Sequence, residues 1–168
     1  MSEITTPRDL FLHKLGDILY VEEQLEQEVL PKLMQEATND ELKKGLQTHL
    51  EQTRSHVENV ESAFEKLGEQ PTSEECIAFE GLKKEHEEIV GETAPELLDQ
   101  VVLLSAAATE HYEISSYNSL VTMARALGER DVIELFEKNL QDDKEAARQL
   151  ESLAKALTKE DAKELSQA

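Results

Sequence analysis

The sequence predicts an all-α fold, an antiparallel four-helix bundle with a short crossover helix, on three observations. Composition is the first: 168 residues include only 6 Gly, 4 Pro and no Trp, and Ala, Leu, Glu, Lys and Gln dominate. The second is periodicity, with apolar residues recurring at steps of three and four over long stretches and no strand-like alternation. The third is layout: two long helical hairpins, about 7–68 and about 95–157, are joined by a crossover over about 69–94.

The first helix opens at "TTPRD", with Thr6 as N-cap, Pro7 at the first helical position and Asp9 in the first turn. Its stripe is Phe11, Leu15, Ile18, Glu22, Leu25, Val29 and Leu33, and Pro31 within it is expected to cause a kink. The helix ends near Ala37, and "TND" caps the second. That helix carries Leu42, Leu46, Leu50, Thr53, Val57, Val60, Phe64 and Leu67, and Gly68 stops it. A short third helix is expected from about Ser73 to Gly91, opened by "TSEE". "GETAPEL" starts the fourth, with Pro95 in its first turn. Its stripe is Val102, Ala106, Glu110, Glu113, Tyr117, Leu120, Ala124 and Leu127, and Gly128 ends it. The fifth runs from about Asp131 to Leu157 through Phe136, Leu140, Asp143, Ala147, Leu150 and Leu153. "TKEDAKELSQA" is expected to form a small frayed helix as a C-terminal tail.

Tight loops within each hairpin make its helices antiparallel neighbours, and a long crossover between hairpins is the ferritin-like connection. Residues 1–168 therefore read as a single ferritin-like domain. The expected core is Phe11, Leu15, Ile18, Leu25, Leu46, Val57, Val60, Phe64, Leu120, Leu140 and Leu150.

The formal net charge is -20, from 37 acidic and 17 basic residues. That charge repels phosphate backbones and anionic lipid surfaces, which argues against nucleic-acid and membrane partners. The N-terminus has the features of no signal peptide, and no apolar run approaches a membrane span. Cys76 is the only cysteine, in keeping with a reducing compartment, and the expected location is cytoplasmic.

Each long helix has a polar interruption of its apolar stripe. These are Glu22 on the first, Thr53 flanked by His49 and His56 on the second, Glu110 with Glu113 on the fourth, and Asp143 on the fifth. Folding each hairpin at its turn brings all of them to one depth near the middle of the bundle. A buried ionised carboxylate costs several kcal/mol, and four acids near one point repel one another. Two divalent cations balance four carboxylates, so Glu22, His49, His56, Glu110, Glu113 and Asp143 are the candidate metal ligands. The competing reading is that each acid sits at a boundary with its head in water. His111 points away from the Glu110–Glu113 axis and reads as a residue that packs or that supports a ligand from behind. His13 and His86 read as exposed, and Tyr117 reads as core.

The segments "GDILYVEEQLEQEVLPKL", "LQTHLEQTRSHVENVESAFEKLGEQPTSEECIAFEGL", "EHYEISSYNSLVTMARALGE" and "LQDDKEAARQLESLA" resemble the YciE/YciF-like proteins of the ferritin-like superfamily. The likeness runs from about Leu10 to Leu157, with "HLEQT", "CxAFEGL" and "EHYEISSY" in that family's order. It implies a rubrerythrin-like bundle, often a dimer, linked to bacterial stress responses. The ferritin and rubrerythrin ligand pattern is Glu followed by Glu-x-x-His in each hairpin. Here the first hairpin has Glu22 with Thr53-x-x-His56, and the second has Glu110 with Asp143-x-x-Ala146. Glu113 stands where it can replace the missing bridge. The departure leaves one metal, two weakly held metals, or a site that has lost its metal.

Two functional readings follow. One is a di-metal protein, with two iron or manganese ions acting on peroxide or oxygen, and with Tyr112 or Tyr117 beside the ligands. The other is a non-catalytic helical stress protein that works through dimerisation or a partner. Iron storage needs a closed cage that one chain does not reveal. The surroundings of "QTHLEQT" lack the Lys and small residues of a phosphotransfer histidine.

Overall fold

A computed structural model describes residues 4–165, with side chains described as far as Thr158. The chain forms α1 (Pro7–Gln24), a π-helical turn (Leu25–Val29), α2 (Leu30–Glu36), α3 (Asp40–Lys66), α4 (Ile77–Glu92), α5 (Leu98–Leu127) and α6 (Ile133–Leu165). Short 3-10 turns at Pro95–Leu97 and Arg130–Val132 lead into α5 and α6. This is the ferritin-like arrangement. α1 packs on α3 and α5, α6 packs on α3 and α5, and α4 lies outside against α5. Among the described residues no helix is long and apolar enough to cross a membrane.

Local chemistry sets most boundaries. Thr6 and Asp9 form a reciprocal capping box at the start of α1. Asn39 accepts from the amides of Glu41 and Leu42 at the start of α3. Gly68 and Gly128 close α3 and α5 with φ of 76° and 80°, a left-handed conformation that glycine adopts without a Cβ clash.

Three boundaries differ from the sequence expectation. The kink expected at Pro31 is a π-helical turn just before it, which absorbs the amide that proline lacks. "TSEE" does not begin a helix: α4 starts at Ile77 with Cys76 as N-cap. The preceding strip crosses α1, where the Glu74 amide donates to the Gly16 carbonyl at 3.2 Å and His13 Nδ1 lies 2.8 Å from Glu74. A Cβ on Gly16 would sit 2.9 Å from the Thr72 carbonyl oxygen, so this close crossing needs glycine. At the other end α6 continues unbroken to Leu165 instead of giving way to a separate helix, and residues 166–168 lie outside the described part.

The core is continuous from Phe11 through Leu15, Leu42, Val60, Leu120 and Phe136. Val57 and Leu150, expected inside it, are only partly buried. On α3 the buried line passes through His49, Thr53 and His56, which turns Val57 outward.

Candidate metal centre

Four helices supply the centre. Glu22 comes from α1, His49, Thr53 and His56 from α3, Glu110, Glu113 and Tyr117 from α5, and Asn139 and Asp143 from α6. Spacings of three and four keep each set on one helical face. Glu22, Thr53, His56, Glu113, Asn139 and Asp143 are all 0 % exposed.

All six candidate ligands expected from the sequence meet here, in two overlapping groups. One ligand atom each from His49, Glu110, Glu113 and Asp143 lies within 4.8 Å of the others, and the same holds for Glu22, His56 and Glu113. Glu113 belongs to both groups. His49 Nε2 is 3.0 Å from Glu110 Oε1, out of line for a hydrogen bond. His56 Nδ1 is 3.3 Å from Glu22 Oε1 and 3.6 Å from Asp143 Oδ1. Thr53 takes no part, because its hydroxyl donates to the His49 carbonyl at 2.9 Å.

A surrounding layer fixes these groups. Tyr117 donates to Glu22 Oε1 at 2.5 Å, and Asn139 donates to the Tyr117 oxygen at 2.8 Å. Asn59 donates to Asn139 at 2.7 Å. Asp142 Oδ2 lies 3.4 Å from His56 Nε2. Tyr117 is thus buried as expected, yet it also holds a carboxylate. Sequence reading missed Asn139 and Asp142. Asn139 stands one turn before Asp143 on the buried stripe of α6, a spacing that marks it. Tyr112 instead meets Cys76, 2.9 Å away.

Three histidine expectations are revised. His111 is exposed and lies 3.5 Å from Glu151 on α6. His86 is buried, held by Glu36 at 2.7 Å and Ser105 at 2.8 Å. His13 is half-buried beside Glu74.

The centre is electrostatically incomplete. Nine buried side-chain atoms among the described residues lack a hydrogen-bond partner, and all belong to the six candidate ligands. Native interiors rarely leave such atoms unmatched, each at a cost of about 1–3 kcal/mol. Burial first, then the neighbouring carboxylates, pushes the Glu110, Glu113 and Asp143 carboxyls well above their usual range. Burial, reinforced by nearby His56, lowers His49 to about 4. Burial also acts to lower His56, but Glu22, Asp143 and Asp142 outweigh it and raise it to about 9. The acids the sequence placed in the core are therefore inside it and not solvated at its edge. A donor set of carboxylate oxygens and imidazole nitrogens with orphaned lone pairs has the composition to hold a metal ion.

A four-helix bundle with this crossover and an inward-facing acid or histidine on every core helix is a ferritin-like protein. Within that class the chain belongs to the DUF892 family, a domain of unknown function, which it matches over residues 6–163. It is 33% identical over 151 residues to the protein YciF of Escherichia coli K12, covering 89% of this chain and 90% of that one. The crystal structure of that relative, an E. coli stress protein, aligns with a TM-score of 0.83 over 90% of this chain and 96% of its own. YcfI of Rhodopseudomonas palustris is 41% identical, with a TM-score of 0.86 over 89% of this chain and 95% of that one. An Anabaena variabilis protein with DJ-1/ThiJ/PfpI-like and ferritin-like domains matches at 20% identity and a TM-score of 0.66. It covers 92% of this chain and 38% of that one, a likeness of fold alone.

Proposed function

We propose that the centre binds two iron or manganese ions and serves chemistry on peroxide or oxygen. The observation that carries this reading is that every buried orphaned side-chain atom among the described residues lies on the six candidate ligands. Four carboxylates, from Glu22, Glu110, Glu113 and Asp143, match the charge of two divalent ions. Oxygen and nitrogen donors suit iron and manganese, and when bound such ions supply one-electron redox chemistry. Glu113, common to both groups of ligand atoms, would be the carboxylate shared between them when metal is bound. It would fill the role that Thr53 leaves open.

The chain's own residues orient the donors. Tyr117 holds one oxygen of Glu22 and leaves Oε2 free to ligate. Asp142 faces Nε2 of His56, which leaves Nδ1 aimed at Glu22 and Asp143. Thr53 ties the backbone at His49 and so fixes that ring's point of departure. Asn139 locks Tyr117 from the neighbouring helix of its own hairpin, and the Tyr117–Glu22 and Asn59–Asn139 bonds couple the two hairpins around the centre.

The proposal extends to a stress-response role, supported by the stress-protein description of the E. coli relative, and to a cytoplasmic homodimer. The test is loading with Fe(II) or Mn(II) under anaerobic conditions, followed by hydrogen peroxide. Loaded protein should consume peroxide faster than the same metal free in buffer, and Glu113→Ala should abolish the difference. Equal rates would reject the catalytic reading and leave a helical stress protein acting through dimerisation or a partner. Sedimentation equilibrium tests the dimer directly.

A further inference from the structure

A cavity of about 440 Å³ opens beside the His49 and Glu110 end of the centre. Leu25, Leu33, Leu46 and Ala106 line it with those two ligands, and Leu150 and Leu153 of α6 form a further wall. Two small residues leave its space. A Cβ built on Gly45 meets nothing within 4 Å, and Ala146, three residues after Asp143, presents only a methyl group.

The volume exceeds what peroxide or dioxygen needs. A water's share of liquid volume is about 30 Å³, and a cavity of about 150 Å³ accommodates benzene. Small-molecule sites typically measure about 300–1,000 Å³, with apolar walls and few polar groups. Here the buried polar residues are His49, Thr109 and Glu110, and Nδ1 and Nε2 of His49 and Oε2 of Glu110 have no hydrogen-bond partner. The other charged lining residues are Glu41 and Glu145, and no Lys or Arg lines the cavity. An anion would meet acids throughout, in a chain of net charge -20. A cation would have to share Glu110 with the metal of the proposed centre, because the other lining acids, Glu41 and Glu145, are exposed.

We propose that this cavity binds a neutral, apolar organic hydroperoxide. Its hydrocarbon part lies along the leucines and its peroxide oxygens face His49 and Glu110. The assignment rests on the peroxide reading of the adjoining centre and narrows the substrate to one too large for a pore that passes only water-sized molecules.

The test is calorimetric titration of the full chain with 2-phenyl-2-propanol, the unreactive alcohol matching cumene hydroperoxide. It is run on protein as purified and after chelation. Saturable binding at one site per chain is expected, with octanoate at least tenfold weaker. Gly45→Leu and Ala146→Leu each extend a side chain into the cavity and should weaken the alcohol at least tenfold, with helix content unchanged by circular dichroism. Absence of saturable binding, or wild-type affinity in both variants, would overturn the assignment, and equal affinity for octanoate would overturn the neutral ligand. Mn(II) titration is scored separately. Alcohol binding without metal binding rejects the metal reading alone, and metal binding without alcohol binding rejects the cavity alone.

Discussion

Metal-free protein should lose stability as pH rises from about 6.5 to about 9. In the folded chain the Glu110, Glu113 and Asp143 carboxyls are raised well above their usual range, and His56 is raised from 6.5 to about 9. A group with a raised folded pKa binds more protons folded than unfolded. Its contribution is therefore complete below the unfolded value and disappears as pH climbs through the folded one. His49, lowered to about 4, acts in the opposite sense, but only below its unfolded value of 6.5. Above that pH every shifted group in the centre acts in one direction. The shift on His56 alone corresponds to about 3 kcal/mol at about 1.4 kcal/mol per unit. At roughly 2–4 °C per kcal/mol for a chain of this size, Tm should fall by about 10 °C. The assay is thermal unfolding by circular dichroism after chelation, at steps of pH, in wild type and Glu113→Gln. The variant removes one acid from both ligand groups and should flatten the slope. Added Mn(II) should restore the wild-type Tm by mass action, by about 2.7 kcal/mol at a hundredfold excess over Kd. A flat wild-type profile, or the same slope in Glu113→Gln, would refute the reasoning.

Further outcomes follow from packing and from the ligand geometry. Leu15→Ala, at a site 0 % exposed, should cost about 3 kcal/mol by urea unfolding, and Leu150→Ala, only partly buried, about 1 kcal/mol. Gly16→Ala should destabilise, although alanine in a helix interior ordinarily gains about 1 kcal/mol, because its Cβ would meet the Thr72 carbonyl at 2.9 Å. Tyr117→Phe should lower metal affinity by about tenfold in a competition titration, since it frees the Glu22 carboxylate from the bond that orients it. Ala146→His places an imidazole one turn from Asp143 and should raise metal affinity, with unchanged affinity counting against the position of the cavity.

Much of the fold was legible because it is written locally. Thr6, Asn39, Gly68 and Gly128 act within a turn of their own positions, so their signals survive in the sequence alone. The start of α4 was not legible, because the contact that holds the non-helical residues 71–76 lies on α1 at Gly16. His86 read as exposed for the same reason: its partner Glu36 is fifty residues earlier in the chain. The ligands were legible because acids in an apolar stripe contradict the pattern around them. Asn139 carries the same signal as the acids, a polar residue on the apolar stripe of α6, whereas Asp142 carries none, because an acid beside another acid contradicts nothing. Only the path from Asn139 to Tyr117 to Glu22 gives Asn139 its meaning.

Glu22, His49, His56, Glu110, Glu113 and Asp143 are buried together, and metal binding is the proposed reason. Elemental analysis of protein purified without chelators, beside Glu113→Ala handled identically, tests it most directly. Close to two iron or manganese ions per wild-type chain are expected, and fewer than one in the variant. No more metal in wild type than in the variant would contradict that reason.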